Sequence, residues 1–313
     1  MEPWKQAEMV YENAFAGSYD FHYYSSPISK AHLRQFLNLI RSYSTKHQVV
    51  LDVGGGTGAV TKGLLRHGYR HMVTVDISLA MLREAKNKMP TLTAIVCDGD
   101  RLPFKDDALR TIICSSVLHH LPFPDRMLGE IKRTLAPDGV VIAQEPNQDH
   151  FLSKPRFSKV SSLSMMFMHY LYRIEHYEPV SEPPIHEYHR AFTREELVKL
   201  FSAQFYVLYF RSRFAFSCLF TKLRNPMMAR MILTVDQFLR RNEGSVFHIV
   251  GSKAEVGHRN LLKSYVRFLE QLRQDPDRWV PSSFLVSLPV LIFLGRLYEL
   301  YERIRARFGK SVY

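Results

Sequence analysis

Cysteine is scarce in this chain of 313 residues: Cys97, Cys114 and Cys218 are the only three, and no Cys-x-x-Cys pair occurs. That excludes a disulfide framework, a zinc ribbon and a dithiol redox motif, and it fits a reducing, cytoplasmic setting. The three read as small apolar fillers. No stretch approaches the roughly 20 apolar residues that cross a bilayer; the longest, Phe284 to Leu294, is interrupted by Pro289. Met1 to Tyr11 mixes Glu2, Lys5 and Glu8 and does not read as a secretory signal. Internal repeats and low-complexity tracts are missing too. No metal ion is expected.

What is present is an ordinary globular composition, 46% hydrophobic, enough for a proper core. The net charge of +12 is unevenly placed: residues 1 to 150 hold 17 Lys and Arg against 16 Asp and Glu, a balance of +1, leaving +11 beyond them. The basic half suits an acidic or membrane-associated partner, and equally a solvated face.

The most informative stretch runs from Val49 to Gly58. Val49-Val50-Leu51-Asp52-Val53 is apolar up to its acid, four glycines follow among Gly54 to Gly58, and Val60, Leu64 and Leu65 then repeat at helical spacing. This is a strand, a tight turn and a helix, with glycines that let backbone amides approach a nucleotide-like ligand. Gly54-x-Gly56-x-x-Ala59 also fits a dinucleotide fingerprint, so the loop by itself leaves the nucleotide open.

Strands and helices alternate on either side. An aromatic-rich arm (Tyr11, Phe15, Tyr19, Phe21, Tyr23, Tyr24) leads to Ser26-Pro27, a helix start carrying Leu33, Phe36, Leu37 and Ile40. Met72 to Val75 is a strand ending in Asp76, with Ser78 capping the next helix. Leu92 to Val96 and Thr111 to Cys114 are further strands, Asp125 caps a helix, and Val140 to Ala143 is a fifth strand after the turn Pro137-Asp138-Gly139. Beyond Asn147, Leu163 to Tyr172 is strongly apolar, Thr193 and Glu196 form a capping box, and Phe205 to Phe210 and Ser245 to Val250 are the last strands, around a helical insert from Pro226 to Arg241. The pitch predicts a doubly wound, mainly parallel sheet.

These motifs together resemble the class I S-adenosylmethionine-dependent methyltransferases, in the branch that includes quinone and other small-molecule enzymes. The resemblance rests on Asp52, Gly54, Gly56 and Gly58; on Asp76; on Asp98-Gly99 with Leu102-Pro103-Phe104; on Leu118-His119-His120-Leu121; and on Leu135, Pro137 and Gly139. It continues through Phe192-Thr193 and Glu196-Leu197 to about Lys253. It departs at Leu109-Arg110, where the family usually has Phe-Asp. The resemblance implies a Rossmann-like seven-stranded α/β sheet, S-adenosylmethionine as cofactor, and a cofactor site built from Asp52, Gly54, Gly56, Thr57, Gly58, Asp76, Ile77, Asp98, Gly99 and Ser115. The residue chemistry agrees. Asp76 is an acceptor for a ribose diol and Asp98 for an adenine amino group; a dinucleotide enzyme has no use for Asp52 or Asp98.

The implied reaction is in-line displacement at the methyl carbon, in which positioning carries much of the rate, plus a base if the acceptor must lose a proton. His119 and His120 are the first candidates; His186, His189 and Glu145 are alternatives, each also readable as a packing or surface residue. Amino-methylating enzymes carry an Asn/Asp-Pro-Pro-aromatic motif where this chain has Ser115-Ser116-Val117-Leu118, and no cysteine adjoins a proline as cytosine C5 enzymes require. An O- or C-methyltransferase of a small apolar, aromatic or lipid-like acceptor remains. RNA methylation and a non-catalytic binding subunit are the alternatives, and nucleic acid is not favoured.

The expected organisation is an N-terminal arm and helix over 1–47, a methyltransferase domain over 48–252 with a helical cap insertion at 151–190, and a helical extension over 253–313. Within the extension, the apolar run and the arginines of 284–310 read either as a helix in a membrane interface or as one folded on a protein surface. The oligomeric state is left open.

Overall fold

The structure, a computed structural model, describes residues 2–150, 189–214, 217–238 and 244–254. The chain divides into two compact units, Met1–Glu255 and Val256–Tyr313. Nearly all of the C-terminal extension and of the cap insertion, and His186, lie outside the described residues. Among the described residues, no helix is long and apolar enough to cross a membrane.

In chain order the elements are α1 (Pro3–Tyr24), α2 (Pro27–Tyr43), β1 (Val50–Val53), α3 (Ala59–Arg66), β2 (Met72–Asp76), α4 (Leu79–Lys88), β3 (Thr93–Val96), β4 (Leu109–Ser115), a short 3₁₀ turn at Leu118–His120, α5 (Pro124–Thr134) and β5 (Leu135–Pro146). After the gap come α6 (Arg194–Ser202), β6 (Tyr206–Arg213), α7 (Pro226–Phe238) and β7 (Val246–Ser252). The seven strands lie in the order β3-β2-β1-β4-β5-β7-β6. β1 to β5 are parallel to one another, and β7 runs antiparallel to both β5 and β6. This is the Rossmann-like class I methyltransferase arrangement, whose strand order reverses between β1 and β4 and opens a crevice at their carboxyl ends.

Burial explains why the central strands are apolar throughout. Leu51, Val53, Ile112, Cys114, Val141 and Ala143 point to one face, where Met127, Leu128 and Ile131 of α5 and Leu197 and Phe201 of α6 cover them. Val50, Ile113 and Ile142 point to the other, against Phe36, Leu37 and Ile40 of α2 and Val60 and Leu64 of α3. Strands covered on both faces leave no polar side to alternate with. None of the three cysteines is in a disulfide, and burial pushes the thiols of Cys97 and Cys218 up to about 11, so they stay protonated and inert.

Three local expectations change. The aromatic arm is a 22-residue helix, α1, because Tyr11, Phe15, Tyr19 and Tyr23 recur every four residues and their rings pack along one side. Asp125 does not cap α5: Pro124 opens the helix, Asp125 sits in its first turn, and Phe123 at the cap position makes no side-chain bond. The turn Pro137-Asp138-Gly139 is not a break before β5 but lies within it, where the register on β4 shifts between the Leu109–Leu135 and Thr111–Val140 pairs. Ser26 and Ser78 do cap their helices.

The Thr193 capping box is complete: Thr193 Oγ1 accepts from Glu196 N at 3.1 Å and the Glu196 carboxylate accepts from Thr193 N at 2.9 Å. Thr193→Ala should lower stability by about 1 kcal/mol and the calorimetric Tm by about 2–4 °C. An unchanged Tm contradicts this role for the cap.

Candidate active site

The glycine loop closes β1 with Gly54, Gly56 and Gly58 all at positive φ (64°, 52° and 79°). A Cβ on Gly54 would also run into the Val117 side chain, which draws the loop against the stretch after β4. Substitution there meets both backbone strain and a clash.

Around this loop the predicted acids take distinct roles. Asp52 is fully buried; its Oδ2 accepts from Thr61 Oγ1 on α3 at 2.7 Å, while Oδ1 is buried with no hydrogen-bond partner. Burial raises its carboxyl to about 7. Asp76, at the end of β2, accepts from the Gly56 amide at 2.9 Å and from the Ser78 amide at 2.8 Å, and burial raises its pKa as well. Ile77 is half-buried in the turn between them. Asp98 follows β3 and meets Lys5 Nζ of α1 at 2.6 Å; the same ammonium reaches Asp100 at 2.7 Å. Gly99 lies against Met127, which a Cβ would approach to 3.1 Å. Thr57 donates to Asp20 of α1 at 2.5 Å, and Ser115 at the end of β4 accepts from Gln144 at 2.9 Å.

Helix α1 therefore runs over the crevice and touches each of its edges, with Lys5 on Asp98, Asn13 on Ser78 and Asp20 on Thr57. Reading the segment as an arm missed this. A signal was present, since polar Lys5 and Glu8 recur at helical spacing on the side that also carries Tyr11 and Phe15.

The histidines cluster beside the loop. After β4, Ser116 adopts a left-handed backbone (φ 57°), a strained conformation of the kind stored at functional sites. The chain then turns over Glu145 of β5. Glu145 Oε1 accepts from the Val117 and Leu118 amides at 3.0 and 2.9 Å; Oε2 faces the His119 amide at 3.3 Å and His119 Nδ1 at 2.8 Å. Glu145 has no exposed surface and both its oxygens are occupied by the protein's own donors, so it acts through His119 rather than on a substrate. Burial pushes its carboxyl up to about 7, against the lowering pull of the backbone donors, and pushes the His119 imidazole down to about 4. At neutral pH the imidazole is neutral. With its Nδ1–H given to Glu145, it keeps a lone pair on Nε2.

His120 points to α1, where Glu8 Oε1 lies 2.7 Å from its Nδ1. His189, 69 residues away in sequence, comes to 2.6 Å from the same Nδ1 and stacks on His119 at a ring-centroid distance of 5.0 Å. The Arg190 amide donates to the His119 carbonyl at 3.0 Å, and Phe192 pairs with the end of β5 through Pro146 and Gln148. The structure thus gathers His119, His120, His189 and Glu145, with Glu145 beneath His119 rather than in the crevice.

The chain is similar to known methyltransferases in sequence and in fold. Residues 51–143 match the methyltransferase domain family. A malonyl-[acyl-carrier protein] O-methyltransferase of Geobacter sulfurreducens is 31% identical over 134 residues, 41% of this chain and 49% of that protein. A demethylmenaquinone methyltransferase of Streptomyces griseus is 33% identical over 101 residues, 32% of this chain and 44% of the other. The chain spans about half the length of these curated relatives. Among solved structures, a SAM-dependent methyltransferase of Thermotoga maritima superposes with a TM-score of 0.51 at 17% identity, covering 78% of this chain and 99% of its own. A Haloferax volcanii methyltransferase, solved with the activator Trm112, gives 0.51 at 20% identity, covering 80% and 99%.

The fold is that of the class I S-adenosylmethionine-dependent methyltransferases. Residues 51–143 are a methyltransferase domain, and S-adenosylmethionine is the cofactor this domain implies. The residues suit it: the partnerless Asp52 Oδ1 is a buried acceptor for an ammonium group, and the Asp76 carboxylate retains lone pairs for hydroxyls beyond its two amide bonds.

Proposed function

We propose that this chain is an S-adenosylmethionine-dependent methyltransferase that methylates an oxygen or carbon of a small, largely apolar acceptor, with His119 as the base. The observation that carries the reading is the His119–Glu145 pair, set at the carboxyl ends of β4 and β5 beside the glycine loop. The methyltransferases of malonyl-[acyl-carrier protein] and demethylmenaquinone among its relatives support a small acceptor, and the aromatic side of α1 supports an apolar one.

The bound cofactor supplies an electrophilic methyl carbon. The protein's part is positioning and proton removal. Asp52, the glycine-loop amides, Asp76 and Asp98 hold the donor, so that the reactants meet without the entropy cost of a free encounter. His119 Nε2 takes the acceptor's proton. Glu145 fixes the tautomer that leaves Nε2 free and stabilises the imidazolium that results, as an orienting carboxylate does in an acid–histidine pair.

Asp98 serves an adenine amino group only once Lys5 moves aside. Lys5→Met should therefore tighten cofactor binding, measured by calorimetry, by about 3- to 10-fold, the scale of one partly exposed ion pair. Unchanged or weaker binding would remove Asp98 from the cofactor site or show that Lys5 helps to hold the donor.

A further inference from the structure

The two most exposed large apolar side chains among the described residues are both on α7, Met227 at 68% and Met231 at 63%. Val235, at 47%, continues the row, so three apolar residues recur every four positions along one side of the helix. They take no part in the helix's own packing. Ala229, Met228, Ile232 and Leu233, on the opposite side, meet Ile28 of α2 together with Phe220 and Leu223. At the start of α7 the Arg224 guanidinium lies over the Phe21 ring, 4.7 Å from its centroid, which joins the row to the end of α1, where Phe21 and Tyr23 are exposed. A contiguous apolar surface of this kind marks a site of interaction.

Around the row the charge is of one sign. Arg224 and Arg230 are exposed, Lys222 is half-buried, and the single acid of α7, Asp236, accepts from Ser217 Oγ at 2.7 Å. Helix α2, on which α7 packs, exposes Lys30 and Arg34 one turn apart. Between Pro27 and His71 there are seven Lys and Arg and one acid, Asp52, which is fully buried. We propose that α7, with the end of α1, docks on an anionic phospholipid bilayer, its methionines among the upper acyl carbons and its arginines on the headgroup phosphates.

Apolar side chains with Lys and Arg beside them match the two parts of such a surface, hydrocarbon below and phosphate above. Other occupants match it in part. A second copy of this chain would bring the same positive charges face to face, which is repulsive. A nucleic acid would use the cations but leave Met227, Met231 and Val235 in water. The surface also lies where a lipid-like acceptor would be useful: Phe21 follows Asp20, which accepts from Thr57 of the glycine loop, so a bilayer held there adjoins the cofactor crevice. That use rests on the methyl-transfer reading; binding of the bilayer does not.

The test is co-sedimentation of the full chain with vesicles of equal parts phosphatidylcholine and phosphatidylglycerol, against vesicles of phosphatidylcholine alone. The chain should bind the anionic vesicles the more tightly, and salt at about 1 M, where the screening length falls to about 3 Å, should release much of it. Met227→Glu with Met231→Glu should weaken binding by about 100-fold or more, because two side chains leave the lipid and two anions face it. Arg224→Gln with Arg230→Gln should weaken it by about 10- to 30-fold, at about fivefold for each basic residue at an anionic surface. Failure of the wild-type chain to bind anionic vesicles overturns the proposal, as does undiminished binding in both double variants with their far-ultraviolet circular dichroism kept. If the methionine variant does not fold, the arginine variant decides. In a chain that binds no vesicles, a dimer dissolved by the methionine variant assigns the row to a second copy, and RNA binding abolished by the arginine variant assigns it to nucleic acid; either overturns the bilayer. Cofactor binding is measured calorimetrically on the same sample. A chain that binds cofactor but no vesicles overturns this inference alone; one that binds vesicles but no cofactor overturns the methyl-transfer reading alone.

Discussion

Glu145→Gln should lower kcat by about 10²–10⁴-fold, the usual contribution of a positioned acid–base group, while leaving cofactor affinity unchanged. The substitution keeps the volume and reverses one hydrogen bond. Oε1 can still accept from the Val117 and Leu118 amides, but an amide NH₂ in place of Oε2 faces two donors, the His119 amide and Nδ1–H. The imidazole escapes by taking its other tautomer, with the proton on Nε2, and the lone pair that takes the acceptor's proton is lost. Some stability is lost as well, about 1–3 kcal/mol for a buried group left without its charged partner, so activity is compared well below Tm. Glu145→Gln with wild-type kcat would remove the pair from the mechanism. Parallel loss of cofactor binding would assign Glu145 to holding the loop instead.

The second large effect is expected at the other side of the crevice. Asp76→Ala should weaken S-adenosylmethionine binding by about 10- to 100-fold, since hydrogen bonds to a charged acceptor contribute about 1.5–3 kcal/mol and each 1.4 kcal/mol is tenfold. The same change strips the Gly56 and Ser78 amides of their acceptor, so the glycine loop loosens as well. Asp138→Asn is the control: Asp138 pairs with Arg110 on an exposed surface, far in the sheet from the carboxyl ends, and should leave binding as it was. Equal affinity in Asp76→Ala and wild type would contradict the cofactor site drawn here.

The parts of this molecule that follow from neighbouring residues were legible in the sequence. The glycine loop, the Ser26 and Ser78 caps and the Thr193 capping box are each decided within about four residues, and they appear where the spacing puts them. So does the alternation of strand and helix that yields the sheet. What the sequence could not show depends on contacts between distant segments. Glu145 sits at a strand tip and looks like an exposed acid until β7 and the turn after β4 close around it. His189 reads as an isolated loop histidine, yet the pairing of Phe192 with the end of β5 delivers it to His120. Helix α1 was obscured by its own mixture. Lys5 and Glu8 are charged and nonetheless buried, because their partners, Asp98 and His120, lie in other parts of the chain.

The claim that most needs testing is methyl transfer to a small acceptor. The purified chain is incubated with methyl-labelled S-adenosylmethionine and a whole-cell extract, and the label is followed into organic-solvent-soluble, small polar, RNA and protein fractions. The account predicts label in the organic-soluble fraction that depends on His119 and falls in Glu145→Gln. Label in RNA or protein instead, or organic-soluble label that persists undiminished in Glu145→Gln, would contradict it.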